Sequence, residues 1–399
     1  PELHMQTYEA QYNPALSGEL KVPLEQLRPM KLDEKKVVAR RAAMELSQNA
    51  IVNLGVGMAS NVGNIANEER IFDRIMLTVD PGIYGGVPLS GYGFGASLNY
   101  TASIDHATQF DFIDGGGIDI ACLGFAEADG SGNVNASKFA NRISGCGGFV
   151  NISQNSKKVV FLGTFTSGGL ETRIEDGQLS IVTEGKHRKF VEAIGQITFA
   201  GSRAAREGRS VLYVTERCVF RLTESGLELI EVAPGIDLER DILNILPFEP
   251  IVNTPLPMHK ALFANERMGL QRMMSELSLE KRISYNPDTN MLFLDFSGMR
   301  LATVEEINSV RDAVEAVLKP LDRRVDAIVN YDGFWTNPDI SDAYLDAVHY
   351  IQSRYYNKAS RFTSNGFARI QLAKGLREHQ VHSGVVGNMA EAKSRLDES

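Results

Sequence analysis

The stretch that most constrains the fold of this chain lies at residues 77–88, with the sequence LTVDPGIYGGVP. A short apolar run at residues 75–79, which overlaps the start of this stretch, predicts a buried strand that ends at the carboxylate of Asp80. Two prolines and three glycines follow within eight residues. Neither a helix interior nor a strand interior tolerates that composition. Asp80 is therefore predicted to lie where a strand stops and a tight loop begins.

Two interpretations of Asp80 are open at this point. In open α/β sheets, ligands bind outside the carboxyl ends of the strands. Glycines in the loop let backbone N–H groups approach a substrate closely. A carboxylate in that position could attack an acyl group while the amides stabilise the oxyanion. Alternatively, Asp80 only opens a turn, as Asp often does.

Composition bounds the class of protein. A chain of 399 residues with 43% apolar residues has room for two or three globular domains. The net charge of −9 and the lack of a basic stripe argue against a nucleic-acid partner. No apolar run approaches the roughly 18 residues of a membrane span. The three cysteines lack CxxC spacing, which indicates a reducing cytosol and no zinc site.

Hydrophobic periodicity predicts strands that alternate with helices through the first 250 or so residues, which indicates an α/β fold. The predicted strands lie at residues 50–54, 75–79, 118–125, 158–162, 211–214 and 218–222, with a looser alternation at 225–232. The predicted helices lie at residues 35–46, 61–70 and 238–246.

Two glycine motifs stand beside these elements. Gly55 and Gly57 follow a strand, as in a dinucleotide fingerprint, but Ser60 occupies the place of a third small residue, so a simple turn is favoured. The run at residues 144–149, SGCGGF, can form an anion-binding nest or a plain loop, and the sequence alone leaves both open. Cys146 in that run has no nearby histidine to activate it as a nucleophile.

Six motifs in a fixed order resemble the family I CoA-transferases. They are NLGVG at 53–57, VDPGIYGGVP at 79–88, FDFIDGGG at 110–117, NVN at 133–135, GCGGF at 145–149 and VTER at 214–217. The nearest branch is the propionate/short-chain acyl-CoA:acetate (3-ketoacid) CoA-transferase group. The resemblance covers residues 6–252 and corresponds to the β-type half, which implies an open CoA-transferase-type sheet with flanking helices.

The resemblance also implies a site and a chemistry. Asp80 stands where the family carries a glutamate that attacks an acyl-CoA, forming a mixed anhydride and then an enzyme–CoA thioester. A short-chain carboxylate then takes up the CoA, so CoA is a substrate and neither a metal nor another cofactor is expected. The glycines that the resemblance places near the oxyanion and CoA are Gly85, Gly86, Gly145, Gly147 and Gly148.

Aspartate at position 80 is a departure from the family pattern. The side chain is one methylene shorter, which displaces the attacking oxygen by about 1 Å and can cost on the order of 100-fold in rate. Pro81 has no N–H, so an aspartyl thioester cannot cyclise onto the next amide. Impaired transfer is therefore expected. The alternatives are an acyl-CoA hydrolase (thioesterase) and a non-catalytic subunit for CoA binding or assembly.

Three segments are predicted. Residues 1–31 read as a linker from a missing N-terminal half, residues 32–252 as the CoA-transferase β-type domain, and residues 253–399 as an accessory domain bounded by Pro250, Pro255 and Pro257. The resemblance implies an α-type half as partner, from another chain or a removed segment, together with a homo-oligomeric assembly. A cytoplasmic location is expected.

The last segment predicts a small α/β domain. Strands are predicted at 291–296, 325–331 and 361–363, and helices at 258–277, 304–318, 340–355 and 367–379, with Thr303 as an N-cap. This βαβα pattern faintly resembles a STAS-like module. The loop at 332–335, DGFW, is predicted to be a turn with packed aromatics. His379 and His382 are predicted to be surface residues.

Overall fold

The computed structural model describes residues 4–24, 27–139, 142–379, 381 and 384–398. The chain divides into two compact units, Pro1–Gln271 and Arg272–Ser399. Over these described residues, the main sheet has ten strands in the first unit and five in the second. Both units combine a sheet with helices, which confirms the α/β class predicted from the alternating pattern.

The main sheet of the first unit is mixed, with a parallel centre. Its strands are β1 (Ile51–Leu54), β2 (Met76–Val79), β3 (Ile83–Tyr84), β4 (Ala102–Ser103), β5 (Ile120–Gly124), β6 (Lys158–Leu162), β7 (Ser210–Val214), β8 (Cys218–Thr223), β9 (Gly226–Val232) and β10 (Ile251–Pro257). Their order is β10-β9-β8-β7-β6-β5-β1-β2-β3-β4. Strands β7, β6, β5, β1 and β2 run parallel. Antiparallel pairings add β8 and β9 on one side and β3 and β4 on the other.

Helices and short strand pairs accompany this sheet. The helices are α1 (Glu34–Ala43), α2 (Asn61–Glu68), α3 (His106–Asp114), α4 (Phe149–Asn155) and α5 (Gly201–Arg206), with 3-10 turns at Gly57–Ser60, Gly91–Gly93 and Lys260–Phe263. The short pairs are Val87–Pro88 with Ser97–Leu98, Glu127–Ala128 with Val134–Asn135, Lys138–Phe139 with Arg142–Ile143, Thr166–Ser167 with His187–Arg188, and Glu171–Glu175 with Gln178–Thr183.

The local sequence explains these elements. Helix α1 begins at Asp33, whose carboxylate accepts a 3.0 Å hydrogen bond from Lys36 N. Strand β6 is apolar along its length because parallel strands are covered on both faces, and the residues from Val159 to Leu162 have no exposed surface. The strands predicted in this unit are confirmed. The short helix predicted at 238–246 is present as a π-helical element at Glu239–Leu243, and Asp237 Oδ1 accepts a 2.7 Å hydrogen bond from Arg240 N at its start.

The predicted domain boundary after residue 252 does not match the structure. It falls inside β10, which pairs with β9 in the main sheet of the first unit. The division between the two units lies after Gln271. Pro255 and Pro257 suggested a linker, but β10 is the outermost strand, and an edge strand tolerates proline because one side needs no ladder hydrogen bonds.

The second unit has its own mixed sheet. Its strands are β11 (Ile283–Asn286), β12 (Met291–Asp295), β13 (Val325–Asn330), β14 (Tyr356–Phe362) and β15 (Val385–Val386), in that spatial order. Strand β11 pairs antiparallel and the others run parallel. The helices are α6 (Leu270–Arg282), which begins just before the division, α7 (Val304–Leu318), α8 (Ser341–Tyr355), α9 (Gly366–Glu378) and α10 (Met389–Glu398). Arg300–Leu301 pairs with Trp335–Thr336, and 3-10 turns lie at Lys319–Leu321 and Pro338–Ile340.

Several predictions for this unit can be compared with its structure. The N-cap at Thr303 is confirmed and forms a capping box with Glu306. The helix predicted at 258–277 has the wrong start: a 3-10 turn forms at Lys260–Phe263, and α6 begins at Leu270. Strands β11 and β15 and helix α10 were not predicted. The likeness to a STAS module stays a prediction.

The aromatic loop at residues 332–335 behaves largely as predicted. The ring of Phe334 packs 5.1 Å from that of Tyr331 and 5.0 Å from that of Tyr344, measured between centroids. His379 is not the surface residue expected: it is partly buried, with Nε2 3.7 Å from the Asp342 carboxylate. His382 lies outside the described residues. Among the described residues, no helix is both long and apolar enough to cross a lipid bilayer.

Candidate active site

A cleft of about 550 Å³ opens at the carboxyl ends of the central strands of the first unit. Residues that directly follow β1, β2, β5 and β6 line it, because parallel strands bring their carboxyl ends to one edge of the sheet. The loop at 144–149 closes another side. The cleft-lining residues used below are Gly55, Asp80, Phe125, Gly145, Cys146, Gly147, Gly148, Gly163 and Lys189.

Asp80 occupies the tight turn between β2 and β3. Val79 pairs with Ile83, so the turn between them contains residues 80–82. Gly82 N donates to Val79 O at 3.0 Å and has φ +102°. A Cβ on Gly82 would lie 2.3 Å from Ile104 O, so both the backbone conformation and the adjacent segment around Ile104 require glycine there. The predicted strand end at Asp80 is confirmed. The turn holds the backbone of Asp80, and therefore its Cα–Cβ bond, in one position.

Asn53, on the adjacent strand β1, contacts the Asp80 carboxylate. Its Nδ2 lies 3.4 Å from Asp80 Oδ1, and its side chain is fully buried. Asn53 Oδ1 is also buried and has no donor among the described residues. An amide donor in this position helps to orient the carboxylate. Apart from the presence of Asn53 in the NLGVG motif, nothing in the sequence predicts this pairing.

The environment of Asp80 raises the pKa of its carboxyl group above the ordinary value. Burial is the largest cause, and the hydrogen bond from Asn53 and the charge of His106 oppose it. His106 lies close because its Nδ1 is 3.1 Å from the backbone oxygen of Asp80. A partly desolvated carboxylate is a better nucleophile than a fully hydrated one, because less water must be removed before it attacks.

The glycine loop at residues 144–149 reaches the carboxylate through Gly148. A Cβ on Gly148 would lie 3.0 Å from Asp80 Oδ2 and 2.6 Å from Phe110 Cζ, so only glycine allows this approach. Gly145 and Gly147 also line the cleft, with φ of +79° and +50°. The structure therefore brings Asp80 together with three of the five predicted glycines.

The other two predicted glycines lie elsewhere. Gly85 and Gly86 are not among the residues that line the cleft. A Cβ on Gly85 would lie 2.5 Å from Thr101 Oγ1, and one on Gly86 would lie 2.1 Å from Leu98 O. Their φ values are +76° and +70°. A tight turn packed against residues 98–101 of the same chain explains why both positions are glycine. Their predicted place beside CoA stays a prediction.

Lys189 is a cleft residue that the sequence did not single out. Its Nζ lies 4.3 Å from the centre of the Phe125 ring, and a Cβ on Gly163 would be 2.4 Å from it. Burial lowers the pKa of Lys189 to about 8, and the charge of Glu216 opposes that shift. Glu216 is fully buried and accepts hydrogen bonds from Phe165 N at 2.8 Å and Arg217 Nε at 2.7 Å.

Two other sequence features have simple places in the structure. Cys146 is exposed and lines the cleft, and no histidine is among the described residues that line it. That Cys146 is not an activated nucleophile stays a prediction. The VTER motif at 214–217 contributes buried structure, since Thr215, Glu216 and Arg217 are fully covered. No cluster of three or more His, Cys, Asp or Glu side chains suited to a metal occurs among the described residues.

Comparisons with known proteins agree with this geometry. The chain is 46% identical over 277 residues to caffeate CoA-transferase of Acetobacterium woodii, which covers 68% of this chain and 53% of that protein. It is 45% identical over 261 residues to the acetate CoA-transferase YdiF of Escherichia coli K12, covering 65% and 49%. The acetate CoA-transferase β subunit of the same strain is 29% identical over 218 residues, covering 52% and 89%. No family model matches the chain.

Solved structures give the same result. The apoenzyme of the acyl-CoA transferase YdiF from Escherichia coli O157:H7 superposes with a TM-score of 0.60 at 44% identity, covering 64% of this chain and 48% of that one. Its thioester complex with CoA superposes with a TM-score of 0.57, also at 44% identity, covering 61% and 46%. The chain spans about half the length of these relatives. The chain is thus a relative of the CoA-transferases, and it matches nearly the whole length of their separate β subunits.

Proposed function

We propose that the first unit is the nucleophile-bearing half of an acyl-CoA:carboxylate CoA-transferase, with Asp80 as the nucleophile. The observation that carries the proposal is the approach of Gly148 to the Asp80 carboxylate, with a Cβ position only 3.0 Å from Oδ2, in a cleft at the carboxyl edge of the sheet. The relatives named as CoA-transferases support the reaction class. The acetate, propionate or 3-ketoacid class of substrate is part of the proposal.

The proposed reaction conserves the thioester. A carboxylate oxygen of Asp80 attacks the acyl-CoA carbonyl, the C–S bond breaks, and CoA leaves as the thiolate, which yields a mixed anhydride. The thiolate then attacks the aspartyl carbonyl, and the first acid leaves as its carboxylate. Asp80 now carries CoA. A second carboxylate reverses both steps, so that a new acyl-CoA leaves and Asp80 is restored.

The loop and the lysine suit the charges that develop. Each attack places negative charge on a carbonyl oxygen, and backbone N–H groups aimed at that oxygen stabilise it in a site that excludes water. The N–H groups of Gly147 and Gly148 have no acceptor among the described residues. The ammonium of Lys189 adds positive charge at the wall of the cleft. We propose that Lys189 binds the carboxylate of the incoming or leaving acid.

The role of Lys189 has a pH-dependent consequence. Because its pKa is lowered to about 8, the ammonium is charged below that pH and lost as the pH rises through it. We expect Lys189→Met to raise the KM for the acid substrate by about tenfold at pH 7, the worth of one charge-assisted hydrogen bond. The wild-type enzyme should lose the same advantage between pH 7 and 9. Steady-state kinetics across this range, with Lys186→Met as an exposed control, measures it.

The same substitution should raise the free energy of unfolding, although it weakens substrate binding. The folded pKa of Lys189 lies below its ordinary value of 10.5, so folding at neutral pH holds a charge in a partly desolvated place. Lys189→Met should therefore be the more stable protein at pH 7, and its advantage should shrink as the pH rises from about 8 towards 10.5. An unchanged KM at pH 7 together with an unchanged pH profile would contradict the assigned role.

The partners and compartment are proposals as well. The chain spans about half of the acetate CoA-transferase YdiF, and it matches most of a separate β subunit. We propose that an α-type half completes the cleft and that the complete enzyme is a homo-oligomer. The free thiols of Cys122, Cys146 and Cys218 support the cytoplasm as its location.

The proposal is tested by trapping the intermediate. The protein, combined with an α-type half, is mixed with acetyl-CoA or propionyl-CoA and analysed by mass spectrometry, with borohydride reduction of any thioester. A CoA-sized adduct, localised by reduction to Asp80, is expected. Release of free acid without an adduct or an acceptor would point to hydrolysis instead. Tight binding of CoA without either product would point to a non-catalytic subunit.

A further inference from the structure

The second unit contains a buried arginine whose charge no carboxylate among the described residues balances. Arg361, on β14, is 1% exposed. Its Nη2 donates to Gln352 Oε1 at 2.8 Å, but its Nε and Nη1 are buried and have no hydrogen-bond partner among the described residues. No described carboxylate forms an ion pair with it. An unpaired buried charge is strongly unfavourable, so a guanidinium of this kind calls for an anion.

Arg361 lines a small cavity of about 40 Å³ within the second unit. The other walls are apolar and aromatic, with Phe296, Val310, Tyr331 and Tyr344 among them. No Asp or Glu is among the described lining residues. The second arginine there, Arg311, is already paired, with Nη2 2.7 Å from an Asp312 oxygen. The unmet charge in this cavity therefore belongs to Arg361.

The tyrosines that line the cavity do not supply the missing negative charge. Burial raises the pKa of Tyr344 well above its ordinary value and also raises that of Tyr356, so both phenols are neutral. The hydroxyls of Tyr331 and Tyr344 lie 2.7 Å apart and satisfy each other. Water needs two to four polar partners in a buried site, and these walls offer few beyond the guanidinium.

We propose that this cavity binds a small carboxylate of the size of acetate, with its carboxylate on Arg361 and its methyl group against the aromatic wall. Size, charge and polarity each favour that ligand. About 40 Å³ holds roughly three water-sized groups, at 10–15 Å³ for each. The site lies wholly within the second unit, apart from the proposed transfer cleft, so it would sense a short-chain acid without reacting with it. This proposal does not depend on the one made for Asp80.

A natural reporter makes the site testable in the full chain. Trp335 is the single tryptophan of the 399 residues, and it lies in the second unit beside Arg300, whose guanidinium is 4.6 Å from its ring centre. Fluorescence excited at the tryptophan band therefore follows unfolding of this unit alone. Sodium acetate should raise the unfolding midpoint saturably, on the order of 5 °C, relative to sodium chloride at equal ionic strength. Cyclohexanecarboxylate, too bulky for the cavity, should give no shift.

Two variants identify the residue responsible. Arg361→Met removes the charge at similar volume and should abolish the acetate shift while remaining at least as stable as the wild type in chloride. Arg377→Met, an exposed position on α9, should keep the shift. Arg361→Lys retains a charge and should give a weaker shift. Equal effects of acetate and chloride on the wild type would mean that water fills the cavity, and would overturn the proposal. So would an acetate shift that survives in Arg361→Met.

Discussion

Replacing Asp80 with Asn is expected to abolish the CoA adduct and to reduce CoA transfer by about 10⁴-fold or more, since removal of a covalent nucleophile leaves only binding and oxyanion stabilisation. The amide has nearly the same size and can still contact Asn53, so the fold and the cleft should be preserved. Loss of activity without loss of stability would then be specific to the carboxylate. Rates from a coupled assay and intact mass after exposure to acyl-CoA measure the two effects.

The control for this variant is Asp111→Asn, which makes the same chemical change at an exposed position of α3 outside the cleft. It should leave the rate and the adduct unchanged. The Asn variant at position 80 is also chemically durable, because Pro81 lacks the N–H through which asparagine cyclises and reverts to aspartate. A CoA adduct that persists in Asp80→Asn would exclude Asp80 as the nucleophile and direct attention to another carboxylate.

Local features of the first unit were predictable because they depend on neighbours in sequence. An apolar run followed by Asp80 and a proline–glycine loop is sufficient to place a strand end there, and the structure has β2 end at Val79. The position of that end within the cleft followed from the rule that parallel strands bring their carboxyl ends to one edge. These inferences need no knowledge of distant contacts.

The missed features all depend on distant contacts. Lys189 lies in the cleft although it is far from Asp80 in the sequence. The residues around it, HRKF, form no motif. Gly85 and Gly86 carry the same left-handed conformation as Gly145 and Gly147 of the cleft, so sequence alone does not tell a packing glycine from a binding one. Pro255 and Pro257 resembled a linker because their place at the sheet edge is a property of the assembled sheet.

The second unit shows the same contrast between local features, which the sequence predicts, and features that depend on distant contacts. The capping box at Thr303 is a local signal and was predicted, whereas β11 and β15 form only where partner strands are available. The unpaired guanidinium of Arg361 is a further case. An arginine in a run of alternating residues looks like a surface residue, and only the packed sheet shows that it is buried with no carboxylate partner in the part of the chain that the structure describes.

Replacing Asp80 with Glu is expected to raise the rate of CoA transfer by about 100-fold, since a misplacement of about 1 Å in the attacking group costs on that order. The turn at residues 80–82 is fixed by Gly82, whose Cβ position would lie 2.3 Å from Ile104 O, so the backbone has little freedom to compensate for a short side chain.

The measurement is a single-turnover rate of adduct formation, which isolates the attack from product release. Asp111→Glu is the matched control, because it adds the same methylene on the exposed face of α3, and it should not change the rate. The competing outcome is equally informative. If Asp80→Glu forms the adduct no faster than the wild type, the cleft is built around the shorter carboxylate. The close approach of Gly148 to Asp80 Oδ2 is then the productive geometry for attack, and not one suited to a longer side chain.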